Sequence, residues 1–118
     1  MDERKRRGDR GEAAAAAALA RRGYRILARQ YRCRWGEIDL VAWDPAGVLC
    51  FVEVKTRSPD AAVQGREAVT PAKRRRLRRA ASVYLASGAP DCPCRFDVAE
   101  VCRREDGWHV NYIISAFE

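Results

Sequence analysis

Gly36-Glu37-Ile38-Asp39-Leu40-Val41-Ala42-Trp43, then Asp44-Pro45-Ala46-Gly47-Val48, then Leu49-Cys50-Phe51-Val52-Glu53-Val54-Lys55: this stretch decides the fold. Its outer parts alternate apolar and polar residues, the period-2 signal of strands. Successive side chains of a strand point to opposite faces. Trp35, Glu37, Asp39 and Val41 therefore share one face, and Ile38, Leu40 and Ala42 the other. On the second strand Leu49, Phe51, Glu53 and Lys55 oppose Cys50, Val52 and Val54. Pro45 suits the first position of a type I turn and Gly47 the left-handed residue after it, so a three-residue hairpin loop is expected. Facing Asp44 with Val48 then sets Asp39 opposite Glu53 and Glu37 opposite Lys55, at Cβ separations of roughly 5 Å. Two carboxylates that close repel unless a cation lies between them or one is protonated.

Spacing alone leaves a second reading open. Charged side chains on the outside of a hairpin are commonly solvated, and Glu37 with Lys55 would make an ordinary cross-strand ion pair. Against it stand Val41, Leu49 and Phe51, apolar residues on the same face as the carboxylates.

Two flanking segments add charged groups. The alanine-rich run predicts a helix over 8–22. Its basic start resembles a short secretion signal, but Asp9 and Glu12 interrupt it and Arg21-Arg22 closes it. Glu12, Ala15, Ala16 and Leu19 fall on one helical face. Glu12 is then either a first-turn acid favourable to the helix dipole or a side chain turned toward the sheet. Thr70-Pro71 is a good helix start, an N-cap followed by proline, and predicts a helix over 70–87. Lys73, Leu77, Ala80, Ala81 and Tyr84 share its inward stripe, while Arg75, Arg78 and Arg79 point away. Lys73 either reaches the hairpin or merely passes its stem along the apolar face.

Taken together, these residues resemble a known group. Asp39 followed by Glu53-x-Lys55 on the next strand is similar to the PD-(D/E)xK signature of restriction-endonuclease-like nucleases, with Ile38 at the position of the proline. Gly11-Glu12-Ala13-Ala14, Gly23-Tyr24-Arg25-Ile26-Leu27, Tyr31-Arg32, Gly36-Glu37-Ile38-Asp39-Leu40, Phe51 to Arg57 and Lys73 together resemble the small bacterial YraN-type family. That resemblance covers nearly the whole chain. It implies a restriction-endonuclease-like α/β fold akin to archaeal Holliday-junction resolvases, with nucleic-acid binding. It also implies Glu12 beside a metal site, since related resolvases place a helix glutamate there.

The expected architecture is a single α/β domain over 1–118 with a central mixed sheet of about five strands flanked by helices. Three mostly antiparallel strands over 24–57 come first, then the long crossover helix. Strands over 95–102 and 108–116 come next, the first of them roughly parallel to its neighbour. The polar 58–68 segment is expected to be a loop within reach of substrate. Asp97 either supports the site or, as expected, is structural or partly exposed, and Cys50 and Cys102 are expected to be small core residues. Cys92-x-Cys94 lacks the second pair of a zinc site, and His109 has no catalytic partner in view. Five cysteines without a secretion signal suggest reduced thiols and a cytoplasmic protein. No stretch is long enough to span a membrane.

Charge is unevenly distributed. Residues 1–34 hold eleven basic and four acidic side chains, residues 35–69 three and six, and residues 70–90 six and none. An acidic hairpin bracketed by basic segments suits metal ions on a scissile phosphate with arginines on the flanking backbone. Arginine richness by itself reflects a GC-rich genome as easily. Of the three lysines, Lys55 and Lys73 fall in or near the proposed site.

The leading expectation is an Mg²⁺- or Mn²⁺-dependent phosphodiesterase acting on structured or branched DNA. Asp39 and Glu53 would be the metal ligands, Lys55 and Glu12 further catalytic groups, and Lys73, Arg57, Arg32 and Arg34 contacts to nucleic acid. Tyr31 and Trp35 belong either to the core or to a base-stacking surface. The chain has no room for a separate sequence-reading domain, which favours recognition of shape. A homodimer is the expectation borrowed from resolvases. The alternatives are a nucleic-acid-binding module of the same fold with little catalysis, and an adaptor whose basic helix meets an acidic protein.

Overall fold

The computed structural model describes residues 3–57 and 69–117. The segment 58–68, expected to reach substrate, lies outside them. The chain runs α1 (Glu3–Arg21), β1 (Arg25–Cys33), β2 (Gly36–Trp43), β3 (Leu49–Arg57), α2 (Pro71–Ala86), β4 (Cys94–Arg104) and β5 (Gly107–Phe117). The strands form one sheet in the order β1-β2-β3-β4-β5. Every neighbouring pair is antiparallel except β3 with β4, which the α2 crossover makes parallel. This is the α/β, mixed five-stranded sheet that the resemblance implied. The helix predicted to begin at residue 8 begins at Glu3 instead. Glu3, Arg4, Lys5, Arg6 and Arg7 lack apolar periodicity, but all suit a helix by propensity.

The hairpin forms as its turn residues dictate. Pairing runs Trp43↔Leu49, Ala42↔Cys50, Val41↔Phe51 and Leu40↔Val52. Gly47 takes φ +90°, where a Cβ would be strained. The Asp44 carboxylate accepts the backbone N–H groups of Ala46 and Val48, each at 2.8 Å. At the start of α2 the Thr70 hydroxyl accepts the Lys73 N–H at 3.2 Å, and Pro71 comes directly after it.

The two helices cover opposite faces. Ala15 and Leu19 of α1 pack on Leu40, Cys50, Val52, Ala99 and Val101. Leu77, Ala80 and Ala81 of α2 pack on Val41, Leu49, Phe51 and Val98, with Tyr84 set edge-on to Phe51 and Tyr31. Gly11 makes the α1 approach possible: a Cβ there would lie 2.8 Å from Thr56 Oγ1 and 2.9 Å from a Val101 methyl.

Ile38 departs from strict alternation. It packs with Val41 on the α2 side, not with Leu40. On the neighbouring strand, between the Arg29↔Leu40 and Tyr31↔Ile38 pairs, Gln30 has φ +52°. A left-handed residue inside a strand interrupts the pleat and rotates the residues beyond it.

A closed polar network pins the hairpin end of the sheet. Asp97 is fully buried, not partly exposed as one expectation had it. Its carboxylate accepts Arg95 Nε at 3.0 Å, the Ser115 N–H at 2.9 Å and the Tyr112 hydroxyl at 2.5 Å. Arg95 also donates to Asp44 and to the Tyr24 hydroxyl, each at 2.7 Å. Ser115 is left-handed at the irregularity where β4 and β5 shift register, so Asp97 binds the distorted backbone directly. Burial, then the nearby Asp97 charge, pushes the Cys50 thiol up to about 12, which keeps it inert. Cys102 is half-exposed, because β4 continues past the covered part of the sheet.

Among the described residues no helix is long and apolar enough to cross a membrane.

Candidate active site

The β2–β3 ladder stops at Leu40↔Val52. One residue further, where Asp39 was expected to face Glu53 in register, the strands part. Asp39 Oδ2 now accepts the Val54 N–H at 2.8 Å, standing in for the carbonyl that a continuing strand would supply. The expected Glu37–Lys55 pair is likewise not formed. Glu37 meets Arg32 at 3.5 Å, and Lys55 meets Glu53 at 3.4 Å while its backbone pairs with Glu100 of β4. The parting of the strands separates Glu37 from Lys55 and opens the sheet at the carboxylates.

On the α2 side the opening is a cavity of about 440 Å³ whose lining includes Gly36, Glu37, Asp39, Glu53, Lys73 and Arg76. Glu53 is 5% exposed. Lys73 Nζ lies 2.5 Å from Glu53 Oε1, and Lys55 Nζ approaches the same oxygen. The inward reading of Lys73 is the one realised. Burial works against its charge, but the bond to Glu53, the contact with Lys55 and the charges of Glu53 and Asp39 together outweigh it and raise its pKa. Lys55 is lowered, by burial and then by the second ammonium beside it. Burial, and next the Glu53 carboxylate, lifts Asp39 to about 7 in spite of the Val54 hydrogen bond.

On the α1 side Asp39 also borders a smaller cavity of about 250 Å³. Glu12 faces it from α1, buried to 5% exposure. Arg29 Nε and Gln30 Nε2 each donate to Glu12 at 3.3 Å, and Gln30 also reaches Asp9 at 3.1 Å. Glu12 thus belongs to the sheet-facing surface, and its charge is felt at Asp39. The left-handed Gln30 that turns the strand also holds this glutamate. Strained backbone of this kind is typical of working sites.

The structure therefore gathers Asp39, Glu53, Lys55 and Lys73 in one place, with Glu12 across the opening. Arg32 borders the α1-side cavity. Arg57 lies 3.9 Å from Glu100, and Arg34 lies over the ring of Trp35. Two cavity residues escaped the sequence reading. Arg76 sits three residues beyond Lys73 in the same row of α2, a spacing that held the clue. Gln30 carried no signal, because nothing in its neighbours announces a left-handed strand residue.

Asp39 and Glu53 offer hard oxygen donors under mutual repulsion, which a divalent cation would relieve. Mg²⁺ needs only one or two protein carboxylates and keeps several waters, so the pair fits it. Among the described residues no three His, Cys, Asp or Glu side chains are gathered into a cage for a metal. Water and phosphate oxygens would have to complete the shell.

A family described as "Uncharacterised protein family UPF0102" matches residues 11–101. UPF0102 protein STH1475 of Symbiobacterium thermophilum is 57% identical over 104 residues, 87% of each chain. UPF0102 protein tll1737 of Thermosynechococcus vestitus is 46% identical over 114 residues, 93% of this chain and 92% of the relative. A UPF0102 protein of Moorella thermoacetica is 54% identical over 99 residues, 83% of this chain and 82% of the relative. The solved structure of Pyrococcus furiosus SfsA in complex with Ca²⁺ aligns with 95% of this chain and 63% of its own, at 15% identity and TM-score 0.35.

Proposed function

The chain belongs to the UPF0102 family, and we propose that it is an Mg²⁺- or Mn²⁺-dependent phosphodiesterase acting on structured or branched DNA. The observation that carries this reading is the carboxylate pair Asp39 and Glu53, mutually repelling at the mouth of a cavity with Lys55 and Lys73 at its wall.

In this reading Asp39 and Glu53 hold the metal. When bound, it supplies an acidified water and a positive charge for the phosphate oxygens. Lys73 would exchange part of its contact with Glu53 for the scissile phosphate, helped by Arg76. Lys55, beside Glu53, would orient the attacking water or offset negative charge in the transition state. Glu12 holds the α1 side of the opening through Arg29 and Gln30, and Arg32 steers backbone phosphate there. Arg34 and Arg57 are peripheral phosphate contacts.

One observation favours a second reading, a nucleic-acid-binding module with weak turnover: Glu53 Oε1 already faces two ammonium groups. Cleavage of labelled four-way junction, flap, single-stranded and duplex DNA decides between them. Each substrate is tested with Mg²⁺, Mn²⁺ or EDTA, wild type beside Glu53→Ala. Metal-dependent cutting lost in the variant supports the nuclease. Salt-sensitive binding without cutting in any metal selects the module.

A further inference from the structure

The cationic row on α2 continues past the cavity. Lys73 and Arg76 line it, and Arg79 stands three residues further along the same row. Each step advances roughly 4.5 Å along the helix. The Arg79 guanidinium lies 4.8 Å from the centre of the Trp35 ring, and Arg34 lies at the same distance. Trp35 is 38% exposed, one of two large apolar side chains left so among the described residues. It stands in the β1–β2 turn just before Gly36 and Glu37, which belong to the cavity wall. That turn is held against α2, since a Cβ on Gly36 would lie 3.6 Å from the Cβ of Arg76. Beside the indole a shallow depression of about 450 Å³ is floored by Val83 and Ala86.

An exposed indole over an apolar floor favours a flat apolar partner. The two guanidiniums around it, that of Arg79 on a segment (70–90) with no acidic side chain, favour an anionic one. A nucleotide joins both properties in one molecule. We propose that Trp35, with Arg34 and Arg79, is a stacking subsite for an unpaired nucleobase. It lies one or two nucleotides along the strand from the phosphate held at Lys73 and Arg76. The base takes the place of one guanidinium on the ring, and the displaced arginine keeps its charge for the neighbouring phosphate. The substrate is then nucleic acid with a single-stranded segment beside the cleaved bond, bound without regard to base identity. This rests on the nucleic-acid reading above and narrows it.

The test is equilibrium binding in EDTA, so that cleavage plays no part. Blunt duplex is compared with the same duplex bearing a short single-stranded tail. Wild type is expected to prefer the tailed duplex by about tenfold, the worth of one stacked base. Trp35→Ala is expected to bring that ratio close to one, and Trp35→Phe to keep most of it. Because each variant is compared with itself across two ligands, a general loss of folding or charge cancels. A ratio unaltered by Trp35→Ala overturns the subsite and leaves the nucleic-acid reading standing, as does a wild type that binds both ligands equally. A wild type that binds neither at low salt overturns both.

Discussion

Two carboxylate clusters sit at opposite ends of the β2–β3 ladder, built from similar parts and finished differently. At the hairpin end Asp44 and Asp97 share Arg95, which also donates to the Tyr24 hydroxyl, while the Tyr112 hydroxyl and backbone N–H groups donate to the two carboxylates. At the open end Asp39 and Glu53 press on each other, two lysines crowd one oxygen, and the cluster borders open cavities. The first arrangement is what burial of charge requires for stability. The second leaves interaction capacity unused, as a site that must accept something from solution does. A completed network holds the fold, and an incomplete one is free to act.

The sharpest way to break this comparison is to neutralise one acid at each end. Asp97→Asn removes the fully buried one of Arg95's two counter-charges, leaving Asp44, and breaks up the network around it; it is expected to cost about 3–5 kcal/mol, read as a fall in the urea midpoint. Gly11→Ala comes next, at about 1–3 kcal/mol, because its Cβ meets Thr56 and Val101 below contact distance. Glu53→Gln relieves Asp39 while loosening two partly exposed lysines, and its stability is expected to change by less than about 1 kcal/mol. In the same variant any metal-dependent cleavage should fall about a hundredfold or more. If Glu53→Gln destabilised the fold as much as Asp97→Asn, the distinction between the two ends would be gone.

The remaining predictions are pH slopes, and they run in opposite directions. Asp44 is held below the ordinary carboxylate range, first by the Val48 N–H and, among its other partners, by Arg95. Its stabilisation is complete above that range and is lost as pH falls through its folded pKa. Asp39 is raised to about 7, so in EDTA the fold loses stability as pH climbs from about 4 toward 7. Thermal melts across that span should show Asp44→Asn flattening the acid limb and Asp39→Asn flattening the loss toward neutral pH.

Much of the hairpin end was legible because local chemistry sets it. Pro45 and Gly47 selected the loop, the loop fixed the register, and Thr70-Pro71 placed the start of α2. That Asp39, Glu53, Lys55 and Lys73 come together could be read from their spacing and from the resemblance to a family. Their contacts could not. Register arithmetic assumes that a ladder continues, and this one stops where Asp39 takes the Val54 N–H and Gln30 turns left-handed. Neither event has a local signature. Arg95 and Asp97 were two residues apart on a strand, but their partners Asp44, Tyr24 and Tyr112 come from distant turns and strands that only tertiary packing unites.

If the open end is the proposed nuclease site, it takes a divalent cation between Asp39 and Glu53. Calorimetric titration of the metal-free protein with Mn²⁺ near pH 8, wild type beside Asp39→Asn, tests it most directly. Saturable binding by wild type that is lost or weakened at least about tenfold in Asp39→Asn is the expected result. Equal binding by both proteins, or none by wild type at millimolar Mn²⁺, would contradict it.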